Sequence, residues 1–418
     1  MEALDSLRCA VIGAGLVGLC TALALQRQGR KVTLIDAGRP GEGASWGNAG
    51  FLATESIDPL STWGTLKSAP RLLLDRHGPL VIPKVNLPAS LPWLARFTRA
   101  AGPAMVNASR TALADLNRQA VPAWQACLSS IGQSDLLVRC GYLLAWESAA
   151  GLSAARREVK HLQAWDQPVE LIERQQLDDM EPNLAGRMSH ALHFPEAYRV
   201  RDPAWLGAAL FEAYTSAGGV FMQQPVAAIR VVDAHRIELQ LGLETRMFSK
   251  VALCAGASSG ELLKTLSISV PLMAERGYHL SVQSSETFLN RPVCSVDRRV
   301  FLSPLNSGFR VVGISELGGL TLPAQPARFE TLRHHARQLF PHRSELINQA
   351  SEWMGKRPTL PDSLPVIDVH PDHAHLGFAF GNQHLGLTQA AITGRLLSQR
   401  LMGMPCDLNL KPFRITRF

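Results

Sequence analysis

The sequence predicts an α/β fold of the two-domain, α+β kind, with a nucleotide-binding βαβ domain interleaved with a substrate domain rich in β-sheet. Three observations carry this expectation. Residues 9–36 read as strand, glycine-spaced turn, helix and acid-tipped strand. Later β-like blocks, above all residues 273–321, interrupt that pattern before strand, glycine turn and helix return near the C-terminus. The 418 residues also exceed what one hydrophobic core fills.

Cys9 to Ile12 is a short apolar strand, and Gly13, Gly15 and Gly18 follow in G-x-G-x-x-G spacing. A helix is expected over residues 16–28, opened by Leu16 and Val17 and ended at Gly29. KVTLID then forms a second strand tipped by Asp36, with Ala37 beyond it. Each residue type has a mechanical reason. Gly13 permits the tight turn, Gly15 lets a pyrophosphate approach the backbone, and Gly18 lets the helix lie close to the strand. The helix N-terminus offers free N–H groups and a positive dipole end to phosphates. Asp36 stands where an acid accepts from ribose hydroxyls. A lone G-x-G-x-x-G is a weak signal. Strand, helix, second strand and terminal acid in order make this a Rossmann-type unit, which serves NAD and FAD alike.

Residues 38–50, GRPGEGASWGNAG, form a glycine-dense loop permissive enough to lay backbone against a flat ligand. Residues 57–103 are irregular and proline-rich. Within them LPASLPWLARFTRAAGP is a basic aromatic stretch suited to a membrane surface, a lid or a packed surface helix. Residues 104–132 read as helical, because Met105, Leu113, Leu116, Ala120 and Trp124 share a face. Residues 141–148 read as a strand and 151–185 as helix and turn. Asp202 caps, and Pro203 opens, a helix that Gly218 and Gly219 end.

PVAAIRVVD, HRIELQL and TRMFSKVALCAGASSG follow as strands, the last entering Ala255 and Gly256 like a strand returning to the nucleotide sheet. AERGYHLSVQ, RRVFLSP and GFRVVG are further strands, and residues 324–340 a helix. EWMGKRPTLPDSLPVID is expected to be a stiff loop leading into a short strand, since Pro358, Pro361 and Pro365 each stop a helix. The segments divide into 1–56, 186–270 and 351–418 for the nucleotide domain, and 57–185 and 271–350 for the substrate domain. A ligand crevice is expected between them.

Composition narrows the function. Apolar residues make up 46% and charged residues 18%, the profile of a globular chain. The net charge of +7 is spread without a dense basic run, which excludes nucleic acid and suits an acidic small molecule or an anionic membrane surface. The seven cysteines include no C-x-x-C pair, which fits reduced thiols in a cytosol-like compartment without a disulfide framework or a metal site. Residues 9–26 carry no charge, but the net-negative leader MEALDSLR and the spaced glycines point to a soluble strand–helix unit, not a signal or membrane segment.

VIGAGLVGLCTALAL, VTLIDAG, GASWGNAG, VALCAGASS, ERGYHL, WMGKRPTLPDSLPVID and GNQHLGLTQAAITGRLL, in this order, resemble the FAD-dependent D-amino acid dehydrogenase and oxidase family. That family also includes the glycine and sarcosine oxidases. The resemblance covers nearly the whole chain, is loosest over 57–140, and is nearest to the bacterial D-amino acid dehydrogenases in GASWGNAG and HLGLT. It implies FAD as cofactor. It sets Ser45, Asn48, Ala49 and Gly50 along the flavin ring, Val226 on the adenine side, and Ala255 and Gly256 beside the dinucleotide. It also brings Gly381, Asn382, His384, Gly386, Leu387 and Thr388 to the N-terminus of the last helix. That end faces the flavin N1–C2 oxygen edge, where a helix dipole stabilises negative charge. His384 as a turn histidine is the alternative.

The resemblance further implies that Arg357 grips the substrate carboxylate with its planar fork. Pairing with an internal acid such as Asp362 is the alternative. Tyr278 would close the pocket and bond the same carboxylate, or else pack in the core. Strand alternation sends Tyr278 and His279 to opposite faces, so at most one faces the substrate. The implied reaction oxidises a D-amino acid, or a cyclic imino acid such as a D-proline derivative, by hydride transfer from Cα to flavin N5. The imine yields a 2-oxo acid and ammonia, and electrons pass to a quinone or O2. A glycine- or sarcosine-type amine oxidase and a flavin-containing subunit of a larger dehydrogenase are the rival readings. The implied location is cytoplasmic, with peripheral contact at the inner face of the membrane.

Overall fold

The computed structural model describes residues 8–418; the leader, residues 1–7, lies outside the described residues. One sheet has six strands in the order Val220–Gln223, Lys31–Asp36, Arg8–Ile12, Lys250–Leu253, Leu376–Phe380, Val366–Val369. The first five run parallel and the last antiparallel. Both faces are covered, which is why the central strands Arg8–Ile12, Lys250–Leu253 and Leu376–Phe380 are buried almost along their length. The helix Leu16–Arg27 connects Arg8–Ile12 to Lys31–Asp36, and the long C-terminal helix Gly386–Leu401 packs beside it. Close approach depends on glycine: a Cβ at Gly18 would lie 1.8 Å from the Gly13 carbonyl oxygen. Asp202 caps the helix Pro203–Ser216 as expected, its Oδ1 accepting from the Ala204 N–H at 2.8 Å.

The second large sheet has nine strands. From one edge it runs Ser351–Thr359, Met273–Gln283, Gly308–Glu316, Val300–Leu305, Val293–Ser295, Tyr142–Trp146, His190–Phe194 and Glu170–Glu173, with Leu80–Val81 paired to Gly308–Glu316. The helix Pro326–Leu339 packs on one face of this sheet. A small antiparallel sheet, Ala228–Val231, Ile237–Leu241 and Glu244–Phe248, packs against the nucleotide sheet. The fold is the expected mixed α/β architecture of two interleaved units.

Two local expectations change. Residues 351–359 form a strand, not a loop. It is an edge strand, and an edge tolerates Pro358 because the missing N–H need not face a partner. This strand and His190–Phe194 both pair within the larger sheet. Residues 57–103 contain two helices, Trp63–Leu74 and Leu87–Ala100, with Pro70 and Pro92 inside them. Both helices lie at the surface, where the carbonyl that each proline leaves unpaired is not shut away from solvent. No helix among the described residues is long and apolar enough to cross a membrane.

Candidate active site

A cavity of about 420 Å³ lies between the two large sheets. Its nucleotide end is built by Gly13, Gly15, Leu16, Val17 and Asp36, and its other end by Gly277, Gly355, Arg357 and His384. Ser45, Asn48 and Ala49 from the glycine-dense loop run along it, with Ala255 and Gly256 opposite.

The nucleotide end fits a dinucleotide. Gly13 has φ +104°, a conformation that a side chain would strain. A Cβ built at Gly15 meets nothing within 4 Å, so the backbone there is open to a ligand. The helix Leu16–Arg27 has no side-chain cap, which leaves its first N–H groups free for phosphate oxygens. Asp36 closes the turn by accepting from the Ala14 N–H at 2.6 Å and the Gly38 N–H at 2.8 Å. The C-terminal helix enters the cavity with Gly386 and has no side-chain cap either. Asn382 lines the cavity while its amide is held by Gln389 at 3.0 Å and Thr393 at 3.1 Å.

Other residues expected at the cofactor act behind the cavity wall. Gly18 provides helix–strand contact, as its spacing implies. Gly50 (φ +76°) and Gly381 (φ +89°) turn the backbone at each side. Thr388 ties the C-terminal helix to the loop by accepting from the Ala53 N–H at 3.0 Å, and the Leu387 carbonyl accepts from Trp124 at 2.9 Å. Ala37 is exposed, and Val226 packs on the apolar cluster below the nucleotide sheet.

The other end of the cavity is made by two antiparallel strands in register. Glu275 stands opposite Arg357, Gly277 opposite Gly355, and His279 opposite Trp353. Alternation puts these six on one face. The two glycines form a bare floor. Arg357 and Glu275 bound it at one end, and the stacked rings of His279 and Trp353, 5.0 Å apart, bound it at the other. The Arg357 guanidinium lies over Gly277, where an added Cβ would be 2.3 Å from Cζ. Its Nη1 donates to Glu275 Oε1 at 3.0 Å and to the Ile314 carbonyl at 3.4 Å. Asp362, the acid considered from sequence, pairs with Arg417 instead.

Burial pushes the Glu275 carboxyl up, but Arg357, Ser315, His384 and Thr359 outweigh it and hold the group below the usual range. His384 lines the cavity and has no hydrogen-bond partner among the described residues. Burial pushes its imidazole down to about 4, with Glu275 opposing and Arg357 reinforcing the shift. His279 Nδ1 donates to the Gly47 carbonyl at 2.9 Å, and burial lowers the imidazole to about 3. Both rings are therefore neutral at ordinary pH.

Tyr278 requires a correction. It borders the cavity, yet its hydroxyl is aimed away, donating to Glu316 Oε1 at 3.0 Å on the opposite face of the sheet. Its ring sits edge-on to Phe329 of the helix Pro326–Leu339, 5.1 Å away, in the apolar core. Glu316 also holds the fully buried Arg276 at 2.5 Å and Arg328 at 2.9 Å, so the tyrosine completes a structural ion network. The sequence reading missed Glu275 and the paired glycines. Alternation along AERGYHL could have joined Glu275, Gly277 and His279, but nothing in one sequence gives the register that brings Arg357 opposite.

The model of the family described as FAD dependent oxidoreductase matches residues 8–400. The chain is 32% identical to a D-amino-acid oxidase of Bradyrhizobium diazoefficiens over 417 residues, covering 98% of each. It is 29% identical to D-amino acid dehydrogenase 2 of Ralstonia nicotianae over 427 residues, covering 97% of this chain and 99% of that one. Among solved structures it is similar to glycine oxidase from Geobacillus kaustophilus, with a TM-score of 0.76 at 22% identity, covering 98% and 99% of the two chains.

Proposed function

The chain belongs to the FAD-dependent oxidoreductase family, and on that premise we propose that it oxidises a D-amino acid at Cα. The observation that carries this reading is the Arg357 fork. Among the described residues only Nη1 is engaged. Nε and Nη2 have no partner among the described residues and lie over the glycine floor of the cavity. That edge matches a carboxylate in bidentate geometry. The two curated relatives are named for D-amino acids, which supports the enantiomer.

Arg357 fixes the substrate carboxylate, and the bare floor of Gly277 and Gly355 leaves room for Cα. His384 stands beside this pair as a neutral imidazole. It takes up the proton that the substrate ammonium must lose before its lone pair can assist hydride departure. Substrate carboxylate on Arg357 cancels part of the positive field on His384 and so raises its basicity when substrate is bound. FAD held by Gly13, Gly15 and the N-terminus of the helix Leu16–Arg27 would supply the hydride acceptor for Cα. Two electrons leave the substrate as the C–N bond becomes an imine, and water then releases the 2-oxo acid and ammonia. A cyclic imino acid would keep its imine.

For the electron acceptor we favour a membrane quinone over O2. The aromatic stretch expected to touch the membrane turns inward: Trp93 is buried and donates to the Thr359 carbonyl at 3.3 Å. The helix Trp63–Leu74 is the better surface. It buries no residue, exposes Trp63, Leu73 and Leu74, and carries Lys67 and Arg71 without an ion pair among the described residues. Anionic vesicles should retain the protein in sedimentation, and Leu73→Glu with Leu74→Glu should release it.

The primary test is an anaerobic panel of D- and L-amino acids watched at the flavin band. D-enantiomers should bleach it. Bleaching by L-forms alone, or by no amino acid, would refute the reading. Peroxide formed at full turnover in air would replace the quinone by O2.

A further inference from the structure

We propose that Glu275 is a positioning residue: its carboxylate fixes the Arg357 guanidinium through Nη1, so that the Nε–Nη2 edge is presented to substrate in one orientation. The inference rests on the reading that Arg357 takes the substrate carboxylate. An acid beside such an arginine is otherwise counterproductive. It cancels much of the charge that attracts the substrate, and it repels the incoming carboxylate. Binding strength alone would favour its absence.

The construction around Glu275 argues for aim. Its residue is 6% exposed and lies on Met273–Gln283, the strand between the two that flank it. Ser315 Oγ, from Gly308–Glu316, donates to Oε1. Thr359 Oγ1, from Ser351–Thr359 on the other side, donates to Oε2 at 3.0 Å. Two hydroxyl donors, one from each flanking strand, therefore immobilise one carboxylate, and that carboxylate in turn holds Nη1 at 3.0 Å. A guanidinium tied only to the Ile314 carbonyl at 3.4 Å would rotate about its own axis. Two strands are thus used to hold an acid, and the acid is used to hold an arginine. Loss of orientation is felt in the chemical step, while loss of the negative charge is felt in binding.

This separation gives the test. FAD-loaded Glu275→Gln keeps the size and one acceptor but removes the charge. Its affinity for a non-reactive monocarboxylate, benzoate, is measured by calorimetry. Its limiting rate of anaerobic flavin reduction by a D-amino acid is measured by stopped flow. Benzoate should bind several-fold tighter, because repulsion is gone, while reduction slows by about tenfold or more. A general loosening of the site would weaken both together, and that result, or an unchanged reduction rate, overturns the proposal. Thr359→Val supplies a second variant that leaves the charge in place. It should slow reduction by roughly threefold with benzoate affinity unchanged, and an unchanged rate counts against the proposal. Arg357→Met separates the two levels. If it abolishes benzoate binding while both Glu275→Gln and Thr359→Val behave as the parent, the carboxylate site stands and the positioning role falls. If it leaves benzoate binding intact, the underlying reading falls.

Discussion

Gly277→Ala tests the substrate floor most directly. The added methyl would lie 2.3 Å from Arg357 Cζ and Nη2 and 2.8 Å from Nε. Non-bonded contacts of this kind relax at about 3.5 Å or more, so the guanidinium must retreat by roughly 1 Å. Retreat is cheap for folding. Gly277 has no strained φ, and the displaced group is the far end of a flexible side chain that is 21% exposed. The stability cost should be about 1 kcal/mol or less, the scale of an off-rotamer torsion. Retreat is costly for the reaction, because a misplacement of about 1 Å can slow a step by about 100-fold. The expected result is a limiting rate of anaerobic flavin reduction lowered by roughly 10- to 100-fold in a protein that still holds FAD. Thermal unfolding of the loaded protein is the control. Parent-like reduction at a parent-like melting temperature would show that the Arg357 fork does not govern the chemical step.

Arg357→Lys keeps the charge and loses the fork, so apparent KM should rise about tenfold or more from the loss of a bidentate pair worth roughly 1.5–3 kcal/mol; steady-state kinetics that match the parent remove Arg357 from the site. Gly18→Ala would set a methyl 1.8 Å from the Gly13 carbonyl oxygen, backbone against backbone. The purified variant should therefore lack the yellow flavin band that the parent shows, and retention of full absorbance contradicts the packing argument. Stability should fall on acidification. His384 at about 4 lies below its unfolded value of about 6.5, so the folded state binds fewer protons between the two, and the stability present above about 6.5 is lost as pH drops through that window. A melting-temperature profile in His384→Gln should be flatter over that range by about one proton, and an identical slope would place the imidazole in a wetter setting.

The nucleotide half of the site was legible because it is local. Gly13, Gly15, Gly18 and Asp36 occur within one βαβ unit, where sequence spacing is also spatial spacing. The substrate half is made by register between strands far apart in the chain, so Arg357 was visible as a residue type while Glu275, its opposite number, was not. Tyr278 shows the limit from another side. Alternation correctly separates Tyr278 from His279, but which face is the core depends on the helix Pro326–Leu339, whose docking no local pattern reveals. Pro358 misled the reading of 351–359 for a related reason. Proline forbids a central strand and a helix interior but not the rim of a sheet, and rim position is a property of the whole fold.

That rim position also orders events during synthesis. Residues 351–418 supply the strand bearing Arg357, the turn bearing His384 and the helix that enters the cavity. Until they emerge from the ribosome, the nascent chain holds a complete Gly13–Asp36 unit but lacks Arg357 and His384. It also carries the Met273–Gln283 strand with one flank unpaired, the condition in which sheets recruit foreign strands. The closing strand therefore does two jobs at once. It seals the exposed flank and brings Arg357 to the cavity, so the cavity is complete only once that flank is closed.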